Sequence, residues 1–429
     1  MTDREGPPGP VHDQEDVTTL RDMNVADVDL ATSAESPRAA LVAQLREQGS
    51  LRTDRVTAAF LAVPRHLFLP GVSLTRAYEN DSVVTKRNEH GVSISSVSQP
   101  GIVAMMLEQA EVEPGHRVLE IGSGGYNAAL LTELVGPDGA VTSIDIDADV
   151  IDRAHAGLAA SGYTSVNAFR ADGEFGAKDD APFDRIIVTV GAWDVPPAWV
   201  EQLAEDGRIV VPVRMRGLTR SVVFERDGDQ LVSRSVEVCG FVAMQGAGEH
   251  DERLVLLHGK EIGLRFDDEP PGDVDLLNGV LASPRTEVWS GVTVGNTEPF
   301  DTLQVWLATT VPGFCWLAVD PELDTDIVKP ANRMASPAVV DGATFAYLTI
   351  RKASSEPGTS VYEFGVHSHG PDAETVAARF NEQVQVWDRS HRGGKGPRVT
   401  ATPVGAPDEP QPGGSVIRKK HVTLTVSWT

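Results

Sequence analysis

Cysteine is nearly absent: Cys239 and Cys315 are the two in 429 residues. They lie far apart and without metal-ligand spacing, which excludes a disulfide-stapled fold and a cysteine metal centre. Buried free thiols in a reducing cytoplasm are the expectation. Basic residues are also few, 37 Lys and Arg against 62 Asp and Glu, a formal net charge of −25. Phosphate contacts need basic surface, so a general binder of nucleic acid or anionic membrane is excluded. No long uncharged apolar run is present, hence no membrane span is expected, and the N-terminus lacks the apolar core of a signal peptide. Internal repeats are absent as well. What the chain does have is length for two or three domains, with apolar residues enough to give each a core. These features predict a soluble cytoplasmic protein.

Residues 1–36 are rich in Asp, Glu, Pro and Gly, too polar to offset the entropy of ordering, and are expected to be a disordered acidic tail. From Pro37 the apolar spacing turns helical, with Leu41, Val42 and Leu45, then Val56, Ala59, Phe60 and Val63. Pro100 suits the first turn of a helix whose apolar face is Ile102, Val103, Met106 and Leu107. Ser98 then falls just outside a helix N-terminus, and a capping role is one reading of it.

Arg117-Val118-Leu119-Glu120-Ile121-Gly122-Ser123-Gly124-Gly125-Tyr126 is the stretch around which the chain is organised. An apolar run closes on an acid and then on glycines, and Asn127 follows as helix: a strand, a tight turn and a helix N-terminus. From there to Pro212 strand and helix alternate. Candidate strands are 117–121, 140–144, 166–170, 184–190 and 208–213, and candidate helices 128–135, 148–161 and 198–203. This rhythm predicts an α/β fold with a doubly wound parallel sheet that binds its ligand at the carboxyl ends of the strands. Glu120 and the glycines, Asp145, Asp172-Gly173 and Thr189 to Ala192 all fall at those ends. Asp145 stands where an acid takes both hydroxyls of a ribose, and Asp172 where one meets an adenine amino group. Glu120 so close to the turn repels a pyrophosphate and attracts an ammonium, so S-adenosyl-L-methionine is the cofactor read from these residues. Asp145 and Asp172 also suit plain turn acids.

The segment from about Pro37 to Gly246 resembles the protein L-isoaspartate O-methyltransferases. The resemblance rests on Val63-Pro64-Arg65 with Phe68, Ala77-Tyr78 with Asp81, Val97-Ser98-Gln99-Pro100, Arg117 to Gly122, Ala171-Asp172-Gly173, Phe183 to Thr189, and Phe241-Val242-Ala243-Met244. It implies a Rossmann-like class I methyltransferase that esterifies a peptide carboxylate and leaves S-adenosyl-L-homocysteine, with Ser98 as the active-site residue. The cofactor set implied is Ser98, Glu120, Ile121, Gly122, Ser123, Gly124, Gly125, Tyr126, Asn127, Asp145, Ile146, Ala171, Asp172, Gly173 and Val190. The acceptor set is Val83, Val84, Thr85, Lys86, Ser96, Val97, Gln99, Gly191 and Ala192. No metal is implied. Three departures stand out. The glycine turn is one residue shorter than the family's, the segment from Asp81 to Ser96 replaces a short Pro-containing loop, and the chain runs 183 residues beyond Gly246.

Those departures resemble the subgroup of FxLD-type ribosomal-peptide clusters (lanthipeptide or graspetide), as do Pro284 to Val294, Pro312 to Cys315 and Trp387 to Gly394. That implies an ordinary Asp in a precursor peptide as acceptor, before or after cyclisation by a partner enzyme. Esterification would lead to an aspartimide. The alternatives are repair of isoaspartate in damaged proteins and a non-catalytic scaffold. Domains are expected at 37–250, binding the cofactor, and at 251–429, a mainly antiparallel α+β unit for peptide recognition or oligomerisation. Its expected β-like runs are 287–294, 303–308, 314–319, 344–350 and 361–366, with one helix over 373–387. His367, His369 and His391 read as ordinary polar histidines. The cluster from Arg389 to Lys395 reads as a solvated loop or a holder of acidic peptide. The oligomeric state is left open.

Overall fold

The computed structural model describes residues 34–122, 124–323, 326–356, 359–406 and 414–428. Residues 1–33 of the expected tail lie outside them. Helix α1 (Glu35–Glu47) buries Leu41, Val42 and Leu45, and α2 (Asp54–Ala62) buries Val56, Ala59 and Phe60. Thr53 caps α2 by accepting the Val56 N–H. The segment read as an acceptor loop is a hairpin, β1 (Val83–Arg87) paired antiparallel with β2 (Ser93–Val97). It leads into α3 (Pro100–Ala110), with Pro100 in the first turn as expected.

The alternation that follows is β3 (Arg117–Ile121), α4 (Tyr126–Val135), β4 (Ala140–Asp145), α5 (Ala148–Ser161), β5 (Asn167–Arg170), β6 (Phe183–Val188), α6 (Pro197–Gln202) and β7 (Leu203–Met215). Strands β3 to β7 pair in parallel in the order β5-β4-β3-β6-β7. The sheet is the doubly wound one expected. It then continues antiparallel through β8 (Leu218–Asp227) and β9 (Gln230–Val238), a hairpin turning at Gly228 as its Asp-Gly sequence predicts.

Beyond residue 250 the chain builds a second, seven-stranded antiparallel sheet. It is formed by β10 (Arg253–His258), β11 (Ile262–Phe266), β12 (Thr286–Gly295), β13 (Phe314–Val319), β14 (Ser336–Asp341), β15 (Thr344–Glu356) and β16 (Thr359–His369). Two helices accompany it, α7 (Asp301–Thr310) and α8 (Ala373–Ser390). Residues 303–308, expected as a strand, lie in α7. Leu303, Val305, Leu307 and Ala308 are all buried, so a helix packed on several sides shows an alternation that mimics a strand.

The chain from Pro397 onwards departs from the expected division. Strands β17 (Pro397–Pro403), β18 (Ser415–Arg418) and β19 (Val422–Trp428) join the first sheet, where β17 pairs with β9. That sheet therefore has ten strands, and Val399, Ala401, Ile417, Leu424 and Val426 enter its core. The region 251–429 thus supplies one sheet of its own and one edge of the other. The two are clasped where the Trp316 indole donates to the Arg216 carbonyl at 2.9 Å, and Arg216 donates to Ala308 O.

Candidate active site

Strand β3 lies between β4 and β6, where the order of the parallel strands reverses, so a crevice opens at its carboxyl end. The backbone there requires glycine. Gly122 has φ +99°, and a Cβ on it would lie 2.7 Å from Thr189 Oγ1 and 2.9 Å from Val190 Cγ1. Gly125, the N-cap of α4, has φ +80°, and a Cβ there would meet Phe68 and Ala154 at 3.0 Å. Two left-handed glycines thus close the shortened turn, and Thr189 Oγ1 ties it down by donating to the Gly122 carbonyl. Ser123 lies outside the described residues.

Two hollows flank Gly122. One, of about 470 Å³, is lined by Ser96, Val97, Ser98, Glu120, Gly124, Tyr126, Asn127, Thr189 and Phe241. The other, of about 440 Å³, is lined by Ile94, Ile121, Asp145, Ile146, Gly173, Val190, Met244 and Gln245. An open outer groove of about 1530 Å³ runs over Val84, Val92, Ser96, Ser98, Gln99, Ile102, Val238 and Phe241. Ser96, Ser98 and Phe241 belong to both the first hollow and the outer groove, and so form the wall between them.

Ser98 does not cap α3. The N-cap is Gln99, without a side-chain cap, and the free Gly101 N–H is taken by Asn80 Oδ1 at 2.8 Å. The Ser98 hydroxyl makes no hydrogen bond to another described residue. Glu120 is fully buried. Its carboxylate accepts from Asn127 Nδ2 at 2.9 Å and from the Ser143 hydroxyl, while burial pushes its pKa up to about 7 against those two donors. Asp145 accepts the Asp147 N–H and faces the second hollow.

Other expected residues serve different ends. The Tyr126 ring packs against Phe60 and Phe68 under the Arg65 guanidinium, and Tyr126 also lines the first hollow. Asp172 accepts the N–H groups of Glu174 and Ala247, the turn role open to it, and neither it nor Ala171 lines a hollow. Val83 is buried in the core. Thr85 meets Ser95 at 3.0 Å, and Lys86 pairs with Asp147 and Asp149 at 2.5 and 2.8 Å, so both fasten the hairpin rather than face the groove. Gly191 and Ala192 form bridges with Ala243 and Val213, and these consume the backbone groups an acceptor would use. Phe241, Met244, Gln245 and Ile94 were not among the expected contacts, and Thr189 was expected only as one of the residues at the strand ends. Phe241 to Met244 was visible as a motif, but its return to the crevice depends on the Gly191–Ala243 bridge, which no local pattern announces.

Residues 36–249 match the family model described as Protein-L-isoaspartate(D-aspartate) O-methyltransferase (PCMT). The protein-L-isoaspartate O-methyltransferase of Methanopyrus kandleri is 38% identical over 212 residues, 49% of this chain and 91% of that protein. The chain belongs to the protein-L-isoaspartate O-methyltransferase family. Another member, protein-L-isoaspartate O-methyltransferase 2 of a Polaromonas species, is 39% identical over 48% of this chain and 96% of its own. Among solved structures, a protein-L-isoaspartate O-methyltransferase covers 85% of the chain at 21% identity and a TM-score of 0.48. One from Plasmodium falciparum, in complex with S-adenosyl-L-homocysteine, covers 48% at 17% identity and a TM-score of 0.42. As a family member the chain is a carboxyl methyltransferase that uses S-adenosyl-L-methionine.

Among the described residues no helix is long and apolar enough to cross a membrane, and no group of three or more His, Cys, Asp or Glu could hold a metal ion. His367 is buried beside the Tyr347 hydroxyl, and burial lowers its pKa to about 4. Arg392 of the basic cluster is engaged by Asp388 and Glu298.

Proposed function

We propose that the chain methylates the free carboxylate of an isoaspartyl residue in a polypeptide, the substrate in the names of its relatives. The observation that carries this reading is the Ser98 hydroxyl, bound to no other described residue, on the wall between the first hollow and the outer groove. The residues fit the cofactor. Gly122 lines both hollows without a side chain to obstruct them, Asp145 faces the second hollow for a ribose, and Glu120 beside the first opposes an ammonium in sign. S-adenosyl-L-methionine, when bound, supplies an electrophilic methyl carbon on a positively charged sulfur. A carboxylate is ionised at neutral pH, so the site needs no base. Its work is to hold the acceptor oxygen through the Ser98 O–H and to exclude water.

A second reading is an unmodified Asp in a ribosomally made precursor peptide. Esterification there would allow the next backbone nitrogen to displace methanol and close an aspartimide. It is supported by the β1–β2 hairpin over the acceptor side and by the second sheet beside the family-matched segment. Peptides carrying isoaspartyl or aspartyl at one position, incubated with S-adenosyl-L-methionine and read by mass spectrometry, separate the two. Methyl gain on the isoaspartyl peptide alone supports the first reading. Methyl gain and then net loss of water from the aspartyl precursor supports the second. A reducing compartment is part of the proposal, in keeping with the free thiols of Cys239 and Cys315.

A further inference from the structure

We propose that the outer groove selects acceptors whose neighbouring residues carry uncharged, apolar side chains, an inference that rests on the carboxyl-transfer reading of the Ser98 wall. In a chain where 23% of residues are charged, every described side chain lining this groove is Ser, Gln, Cys or apolar. The exception in principle, Cys239, is kept neutral because burial pushes its thiol up to about 12.

Three of the walls are solvated apolar surface. Val84 is 39% exposed, Val92 58% and Val238 50%, and they come from β1, from the β1–β2 turn and from the end of β9. Ile102 and Phe241 continue the surface toward Ser98. Separate segments therefore converge their exposed apolar groups on one cleft, which marks a place that a partner covers. The partner is the substrate. Ser96, Ser98 and Phe241 are shared with the inner hollow, so a peptide whose carboxylate reaches Ser98 lays its adjacent side chains on these valines.

The cations beside the groove are withdrawn: Arg76, which donates to the Ser82 carbonyl, is paired with Glu79 and Asp81. A register irregularity separates Val84 from Lys86, and Lys86 is held by Asp147 and Asp149 at the start of α5. A Glu or Lys beside the acceptor would lose water in the groove and find no opposite charge there.

The test uses the full chain and matched peptides whose single acceptor is flanked on both sides by Leu, by Glu or by Lys. The kcat/KM with Leu flanks is expected to exceed the other two by about 10-fold or more. Val84→Lys and Val92→Lys, both at exposed positions, are expected to lower it for Leu flanks and raise it for Glu flanks. Equal kcat/KM across the three sets, or variants that leave the ranking unchanged, would overturn the proposal. Binding of the same peptides to the enzyme loaded with S-adenosyl-L-homocysteine is measured alongside. If nothing is methylated yet the Leu set binds selectively, the groove assignment stands and the carboxyl-transfer reading fails. Equal binding, or none, removes the groove assignment itself.

Discussion

Ser98 is half-exposed, faces both the inner hollow and the outer groove, and is bound to no described neighbour. Removing its hydroxyl deletes a hydrogen bond to a charged acceptor and little else. Ser98→Ala is therefore expected to lower kcat/KM by about 10- to 100-fold while affinity for S-adenosyl-L-homocysteine and thermal stability stay put. Steady-state kinetics and calorimetry on one preparation check this, and an unchanged rate would remove Ser98 from the site. Gly122→Ala acts differently, because its backbone is left-handed and its Cβ meets Thr189. It should cost about 1–3 kcal/mol of stability and abolish detectable cofactor binding. Glu120 gives a pH signature. Its folded pKa of about 7 lies above the ordinary 4.5, so the stability linked to its proton is full below the ordinary value and is lost as pH rises through about 7. The loss is on the order of 3 kcal/mol. Glu120→Gln should melt higher than the parent at about pH 8 and much closer to it at about pH 5; parallel melting curves would contradict the assignment.

At the scale of elements, the hairpin β1–β2 bridges both hollows: Ile94 lines one, Ser96 and Val97 the other. Its fastening to α5 runs through Lys86 and through Arg153, which donates to Thr85. Lys86→Ala is expected to speed release of S-adenosyl-L-homocysteine in stopped-flow measurements and to expose the turn at 88–91 to protease. An unaltered release rate would mean the hairpin does not gate the hollows. Most elements around the site were legible, because β3, β4 and β6 are buried parallel strands and α5 keeps its period between Asp147 and Gly162. What escaped has a physical reason. Helix α7 buries Leu303, Val305 and Leu307 with the half-buried Gln304 and Trp306 between them, and so reads as an alternating strand. Lys86 looked available to a substrate because its partners are 61 and 63 residues away. Asp172 accepts the N–H groups of Glu174 and Ala247, and the second of these, 75 residues away, is a partner that no local pattern announces.

The whole molecule is bound together by its C-terminal strands. The β18–β19 turn reaches the wall of the second hollow: His421 Nε2 lies 2.9 Å from Glu174 Oε1, next to Gly173, and the His421 N–H donates to Asp194 at 2.5 Å. A chain ended at residue 250 contains all of the family-matched segment, but it bares the β9 edge and the apolar side chains that Val399, Leu424 and Val426 cover. It is expected to be aggregated or unfolded by circular dichroism, and a stable, cofactor-binding product would show that the second half is dispensable. No local pattern marks β17 to β19 as members of the first sheet, since pairing across more than 160 residues is a tertiary matter. The central claim, carboxyl methylation at the Ser98 wall, is tested most directly by one experiment. An isoaspartyl peptide and S-adenosyl-L-methionine are given to the full chain and to Ser98→Ala, and the products are followed by mass spectrometry. A single methyl gain, blocked by acceptor amidation and strongly slowed in the variant, is the predicted result. Methylation of the amidated peptide, or an equal rate in both proteins, would contradict it.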